Sequence, residues 1–123
     1  MPEGCKGKVE LLIVDVSNEA SVKSAAATLK TTLGDSKLFA LVNNAGVGLA
    51  HTGQTASSIV VTNSYGVHWM TENFVSLIDP AAGRIVHVGS GIGSMYTGKQ
   101  SDDDIKGIWN NPNLTWDQLD AKL

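Results

Sequence analysis

Three short apolar runs punctuate the chain, and each stops at small or polar residues. Val9 to Val16 breaks at Asp15, Phe39 to Val42 stops at Asn43-Asn44-Ala45-Gly46, and Arg84 to Val88 stops at Gly89-Ser90-Gly91. Runs of this length bounded by turn residues predict strands. Because they are continuous rather than alternating, they predict parallel strands covered by helices on both faces. Between the first two, Val22, Ala25, Ala26, Leu29 and Leu33 recur at helical spacing. Ser17 or Asn18 can cap that helix, Glu19 suits the positive end of its dipole, and Gly34 stops it. The opening unit is therefore strand, helix, strand, a right-handed crossover in a parallel sheet.

Val47 to Ser58, rich in Gly, Thr, Ser and Gln, predicts a loop over the carboxyl edge of that sheet. In the helix that follows, Asn63, Gly66, Val67, Met70, Phe74 and Leu77 share one face, which turns the Asn63 carboxamide inward among apolar neighbours. Asp79-Pro80 ends the helix and Ala81-Ala82-Gly83 turns the chain into the third strand. Beyond Ser94 the pattern changes. Ser101 with Asp102 to Asp104 can open one short helix, and Thr115 with Gln118 has capping-box spacing for another running to Leu123. One partial domain is expected, with a β/α core over 1–93 and a helical insertion over 94–123.

Composition narrows the class. The 123 residues, 42% hydrophobic and 17% charged, suit one modest globular domain rather than a disordered or membrane chain. A net charge of −3 without a basic run argues against nucleic acid and anionic membrane as partners. No apolar run approaches the length of a bilayer span, and none behind Met1 resembles a secretion signal. The single Cys5 cannot pair within the chain, which suggests a reducing, cytoplasmic setting.

In open parallel sheets ligands bind past the carboxyl ends of the strands, so the Asn43-Asn44-Ala45-Gly46 turn is the first place to look for a ligand. Ala45 and Gly46 clear space there, and the carboxamides offer donors and acceptors without proton exchange. An ordinary strand-end turn would use the same residues. Ser90 can face a ligand at the mouth of the third strand or bond its own backbone, and Asp15 can hold a ligand or cap the following helix. A serine-hydrolase elbow needs small residues two away on each side, where Ser90 has Val88 and Ile92. No metal site is expected, since His51, His68 and His87 are scattered over loop, helix and strand and Asp102 to Asp104 lack a calcium-loop pattern.

Leu41-Val42-Asn43-Asn44-Ala45-Gly46 resembles the Asn-Asn-Ala-Gly motif of the short-chain dehydrogenase/reductase family. The Asp15-Val16 strand end, Thr62-Asn63-Ser64-Tyr65-Gly66 and Gly83 to Ser90 agree with it in order and approximate spacing, and the tail resembles the helical insertion of the carbonyl-reductase-like branch. The resemblance implies an α/β fold, a partial doubly wound (Rossmann-type) parallel sheet with a helical C-terminal insertion. It implies hydride reduction of a ketone or aldehyde, a small-molecule carbonyl substrate, and NADP or NAD as cofactor, with NADP favoured by the carbonyl-reductase likeness. Ser90 takes the position of the serine that polarises the carbonyl and Asn63 that of the asparagine holding a relay water. Asp15 and Val16 would line the adenine, and Asn43, Asn44, Ala45 and Gly46 would contact the cofactor. No tyrosine has a lysine four residues on: Tyr65 is followed there by Trp69 and Tyr96 by Gln100. Neither Gly46-Gly48 nor Gly89-Gly91-Gly93 has the spacing of a phosphate-binding glycine loop. The chain is therefore expected to be a fragment covering the middle of the family's fold, with a noncatalytic α/β remnant as the alternative; its oligomeric state is left open.

Overall fold

The computed structural model describes residues 7–48, 53–99, 103, 108 and 111–123. The chain divides into two compact units, Met1–Val86 and His87–Leu123. In the first, helix α1 (Glu19–Leu33) begins at Asn18, whose side chain accepts the Ser21 N–H, and stops at Gly34, whose φ of 56° suits a residue without Cβ. Val22, Ala25 and Ala26 are buried, and Leu29 and Leu33 pack beside them, as their spacing predicts. Strand β1 (Ala40–Asn43) follows and pairs with β2 (Arg84–His87) in a two-stranded parallel sheet. Leu38, just before β1, makes a separate parallel bridge to Ile78, ahead of the Asp79 turn.

Between the strands the chain is helical almost throughout. Helix α2 (Ala56–Val60) passes into a π turn (Val61–Tyr65), then α3 (Gly66–Phe74) and a 3₁₀ turn (Val75–Leu77). Phe74 and Leu77 are buried with Leu41 and the α1 residues, so α1, α3 and β1 share one core. Helix α2 starts inside the expected loop, because Thr55 and Ser58 form a reciprocal capping box. Asp79 then closes the turn into β2, its carboxylate accepting the Ala81 and Ala82 N–H groups at 2.7 and 3.0 Å. Those bonds hold the Asp79 carboxyl below the ordinary carboxylate value.

Three expectations are corrected. Val9 to Val16 forms no strand: no backbone group of residues 9–14 hydrogen-bonds another described residue, and Leu11 and Ile13 are 96% and 95% exposed. A strand is a pairing rather than a local conformation, and this apolar run has no neighbour to pair with. β1 is not covered on both faces. Leu41 and Asn43 face the core, while Ala40 and Val42 are exposed, and all four residues of β2 are exposed. Asn63 is exposed rather than turned inward, because the π turn widens the helix and shifts the phase of its faces.

The 14–16 segment is held by Val14 packing on the core, by the Asp15 N–H bond to Ser21 Oγ and by a close approach to α3. A Cβ built on buried Gly66 would lie 2.6 Å from the Val16 carbonyl oxygen. Alanine in mid-helix normally stabilises by about 1 kcal/mol over glycine, but overpacking against backbone costs roughly 1–3 kcal/mol. Gly66→Ala is therefore expected to lower the urea midpoint; a raised midpoint would show that Val16 is not seated on the helix.

In the second unit, α4 (Gly91–Lys99) follows Ser90, and α5 (Trp116–Asp120) begins at the predicted Thr115/Gln118 capping box, both halves of which are formed. The helix expected to open at Ser101 to Asp104 lies outside the described residues, except for Asp103. Among the described residues no helix is long and apolar enough to cross a membrane.

Candidate functional site

The end of β1 delivers two asparagines with different duties. Asn43 is 8% exposed, and its Nδ2 donates to Thr71 Oγ1 at 3.2 Å, while that hydroxyl donates to the Val67 carbonyl at 2.7 Å. A buried carboxamide needs such partners, and these tie the strand end to α3. Asn44, one residue on, is exposed. Both line a cavity of about 160 Å³ with Ala45, Val42, Val14, Val16, Thr62 and Gly66. The structure thus brings the Asn-Asn-Ala turn and Val16 together around one space.

Asn63 secures the chain just past this turn. Its Oδ1 accepts the Val47 N–H at 2.9 Å and its Nδ2 donates to the Val47 carbonyl at 2.8 Å. This two-point clamp satisfies the carboxamide through the backbone of the loop. Gly46 lies beneath it, where a Cβ would stand 3.4 Å from Asn63 Oδ1. The sequence placed Asn63 inward among apolar neighbours and gave no sign that the Val47 backbone is its partner.

Asp15 borders a neighbouring, more polar cavity with Ser17, Val47, Gln54, Thr55 and Thr62 among its walls. Its Oδ1 accepts from the Ser17 hydroxyl at 2.7 Å and the Ser17 N–H at 3.0 Å, and its own N–H donates to Ser21 Oγ at 2.9 Å. The Ser17 hydroxyl, then the Ser17 N–H, holds the Asp15 carboxyl below its ordinary value. Asp15 is thus an ionised side chain built into the turn before α1, while Asn18 makes the cap proper. Its second oxygen has no bond among the described residues.

Ser90 belongs to the second unit. It is exposed, its hydroxyl accepts the Ile92 N–H at 3.2 Å and its carbonyl the Gly93 N–H at 3.0 Å, the local bonding of a serine that opens a helix. That bond leaves its proton free to donate elsewhere.

The arrangement is that of an open α/β protein with a groove past the carboxyl end of a parallel strand, lined by small and apolar residues and carboxamides. The short chain dehydrogenase family matches residues 2–101, and the chain belongs to that family of NAD(P)-dependent oxidoreductases. It is 38% identical over 105 residues to a 3beta-hydroxysteroid dehydrogenase of Caenorhabditis elegans, covering 78% of this chain and 27% of that protein. It is 36% identical over 92 residues to 17-beta-hydroxysteroid dehydrogenase type 6 of Rattus norvegicus, covering 70% and 29%. Among solved structures, a short-chain dehydrogenase/reductase from Serratia marcescens superposes with a TM-score of 0.57 at 29% identity, over 69% of this chain and 36% of the other. The chain thus spans under a third of the length of these curated relatives.

Proposed function

We propose that the chain is the middle piece of a short-chain NAD(P)H-dependent oxidoreductase that reduces a ketone or aldehyde to an alcohol. The observation that carries this reading is the cavity shared by Asn43, Asn44, Ala45 and Val16 at the end of β1. A flat or extended ligand can lie there, because Ala45 presents little bulk and Asn44 is among the residues lining the space. A cavity of about 160 Å³ suits one end of a nicotinamide dinucleotide rather than the whole. Val16 supplies an apolar wall for the adenine, and Asp15 an ionised acceptor for its amino group. Asn43 keeps the strand end in register through Thr71, and Gly46 lets the loop pass beneath Asn63.

When bound, the reduced nicotinamide supplies the hydride. The chain's own part is to orient and polarise. Ser90 donates a hydrogen bond to the substrate carbonyl oxygen, where negative charge grows as hydride arrives. Asn63 takes the relay position, and its clamp on Val47 holds the loop after the turn. NADP is the favoured cofactor, by likeness to carbonyl reductases. Relatives named as hydroxysteroid dehydrogenases and as retinol dehydrogenases support an alcohol–carbonyl couple, with ketone and aldehyde both open. Small carbonyl compounds are the proposed partners, rather than nucleic acid or membrane, and the lone Cys5 supports a cytoplasmic setting. The division into a 1–93 core and a 94–123 insertion belongs to the same reading.

The competing reading, a noncatalytic α/β remnant, is favoured by the lack of a Tyr-x-x-x-Lys pair in the sequence. A chimera decides between them: residues 9–99 replace the matching segment of the Serratia marcescens enzyme. Retained NAD(P)H-dependent carbonyl reduction is expected, with Ser90→Ala lowering kcat roughly a hundredfold while cofactor affinity holds. A folded, cofactor-binding chimera without turnover would favour the remnant, and an undiminished kcat in the alanine variant would remove Ser90 from its role.

A further inference from the structure

Helix α4 turns its bulk toward water. Ile92, Met95 and Tyr96 fall at i, i+3 and i+4, so they share one face, and each is more than half exposed. No residue of the helix is buried. Apart from Lys99, its other positions are glycine, serine and threonine, whose hydroxyls bond within the helix: Ser94 Oγ donates to the Gly91 carbonyl at 2.9 Å and Thr97 Oγ1 to the Gly93 carbonyl at 3.2 Å. The three apolar side chains and Lys99 line a cavity of about 230 Å³. Lys99 makes no hydrogen bond or ion pair among the described residues, whereas Lys8 and Lys23 meet carboxylates and Lys37 donates to the Ser76 carbonyl.

An apolar stripe alone names no occupant, but an ammonium set into the same cavity does. Apolar side chains beside a cation lower the local polarity, so a counter-charge there interacts more strongly than one in open water. One ammonium is a single point charge, which suits a carboxylate rather than a phosphate dianion. The occupant that matches both halves of the cavity is an apolar chain ending in a carboxylate. Ser90, placed above against the substrate carbonyl, sits just before the helix. Lys99 ends it, roughly 13 Å further along the axis at the usual helical rise. We infer that the α4 groove binds the carboxylate-bearing apolar tail of the substrate, which makes that substrate a long-chain oxo acid. The carbonyl end of this assignment rests on the proposed reduction; the tail's site rests on α4 itself.

The test is a titration of the isotope-labelled full chain with decanoate, below its micellar concentration, and with uncharged decanol, followed by amide chemical shifts. Lys99→Met keeps the apolar stem and removes the charge; Lys99→Arg keeps the charge. The expected result is that decanoate shifts the Ile92, Met95 and Tyr96 amides and binds more tightly than decanol, that Lys99→Met weakens decanoate roughly threefold, and that Lys99→Arg stays within about twofold. Absent shifts on α4, equal affinity for the two probes, or unchanged decanoate affinity in Lys99→Met would each overturn the inference. In the chimera described above, Lys99→Met is expected to lower kcat/KM for ω-oxodecanoate relative to its methyl ester about threefold. An active chimera that rejects ω-oxodecanoate, or whose ratio does not move, would overturn the inference and leave the reduction standing. A chimera that turns over no carbonyl compound, with the decanoate shifts intact in the native chain, would remove the reduction and leave the tail site supported.

Discussion

Given NADPH and a generic quinone or diketone, the purified 123-residue chain is expected to consume no more cofactor than a protein-free control. The sequence holds no Tyr-x-x-x-Lys pair to protonate the forming alkoxide. Positioned proton transfer commonly contributes about 10² to 10⁴ in rate, so its loss alone brings turnover near the background. It also holds no glycine loop spaced to receive a pyrophosphate at a helix N-terminus, which removes a main source of cofactor affinity. The Ser90 hydroxyl remains, but polarising a carbonyl cannot replace a missing acid or a cofactor that is not held. Absorbance of NADPH reads the result directly. Turnover above the control would show that an acid has been overlooked, with Tyr96 and nearby Lys99 on α4 the first residues to mutate.

The second large effect concerns order along the chain. Amide hydrogen exchange is expected to be on the order of several hundredfold faster for Leu11 to Val14 than for the core around Leu41. Residues 9–14 make no backbone hydrogen bond to any described residue, whereas β1 pairs with β2 and its Leu41 is 7% exposed. Only Val14 in that segment packs against the core. Ile85 and Val86 should fall between, being paired in the sheet but exposed. Comparable, strong protection of Leu11 to Val14 in a monodisperse monomer would mean that the segment pairs in solution and that the chain is a self-sufficient domain.

What was legible in the sequence follows the reach of each signal. Helix α1 was readable to its caps because Asn18, Gly34 and the Val22 to Leu33 stripe all act within a few turns of chain. The strand end at Asn43 and the turn at Asp79 were readable for the same reason. Val9 to Val16 misled because an apolar run looks the same whether or not a neighbouring strand exists, and pairing is a non-local fact. The start of α2 was missed because its capping box uses Ser58 where Glu or Gln is the usual signal. Asn63 was placed on the wrong side because a 3.6-residue period cannot register a π turn. At the site, the resemblance assembled the residue set, but the division of labour between Asn43 and Asn44 and the clamp on Val47 needed coordinates.

The unpaired segment has a consequence for the life of the molecule. Proteases grip substrates as extended strands, and a folded protein escapes by making its backbone unavailable except during rare openings. Residues 9–14 are already laid out, with backbone bonded to no described residue and the Leu11 and Ile13 side chains in water. Cleavage there would require no unfolding of the α1–α3 core, so a partner segment laid over this stretch would protect the chain independently of the stability of that core.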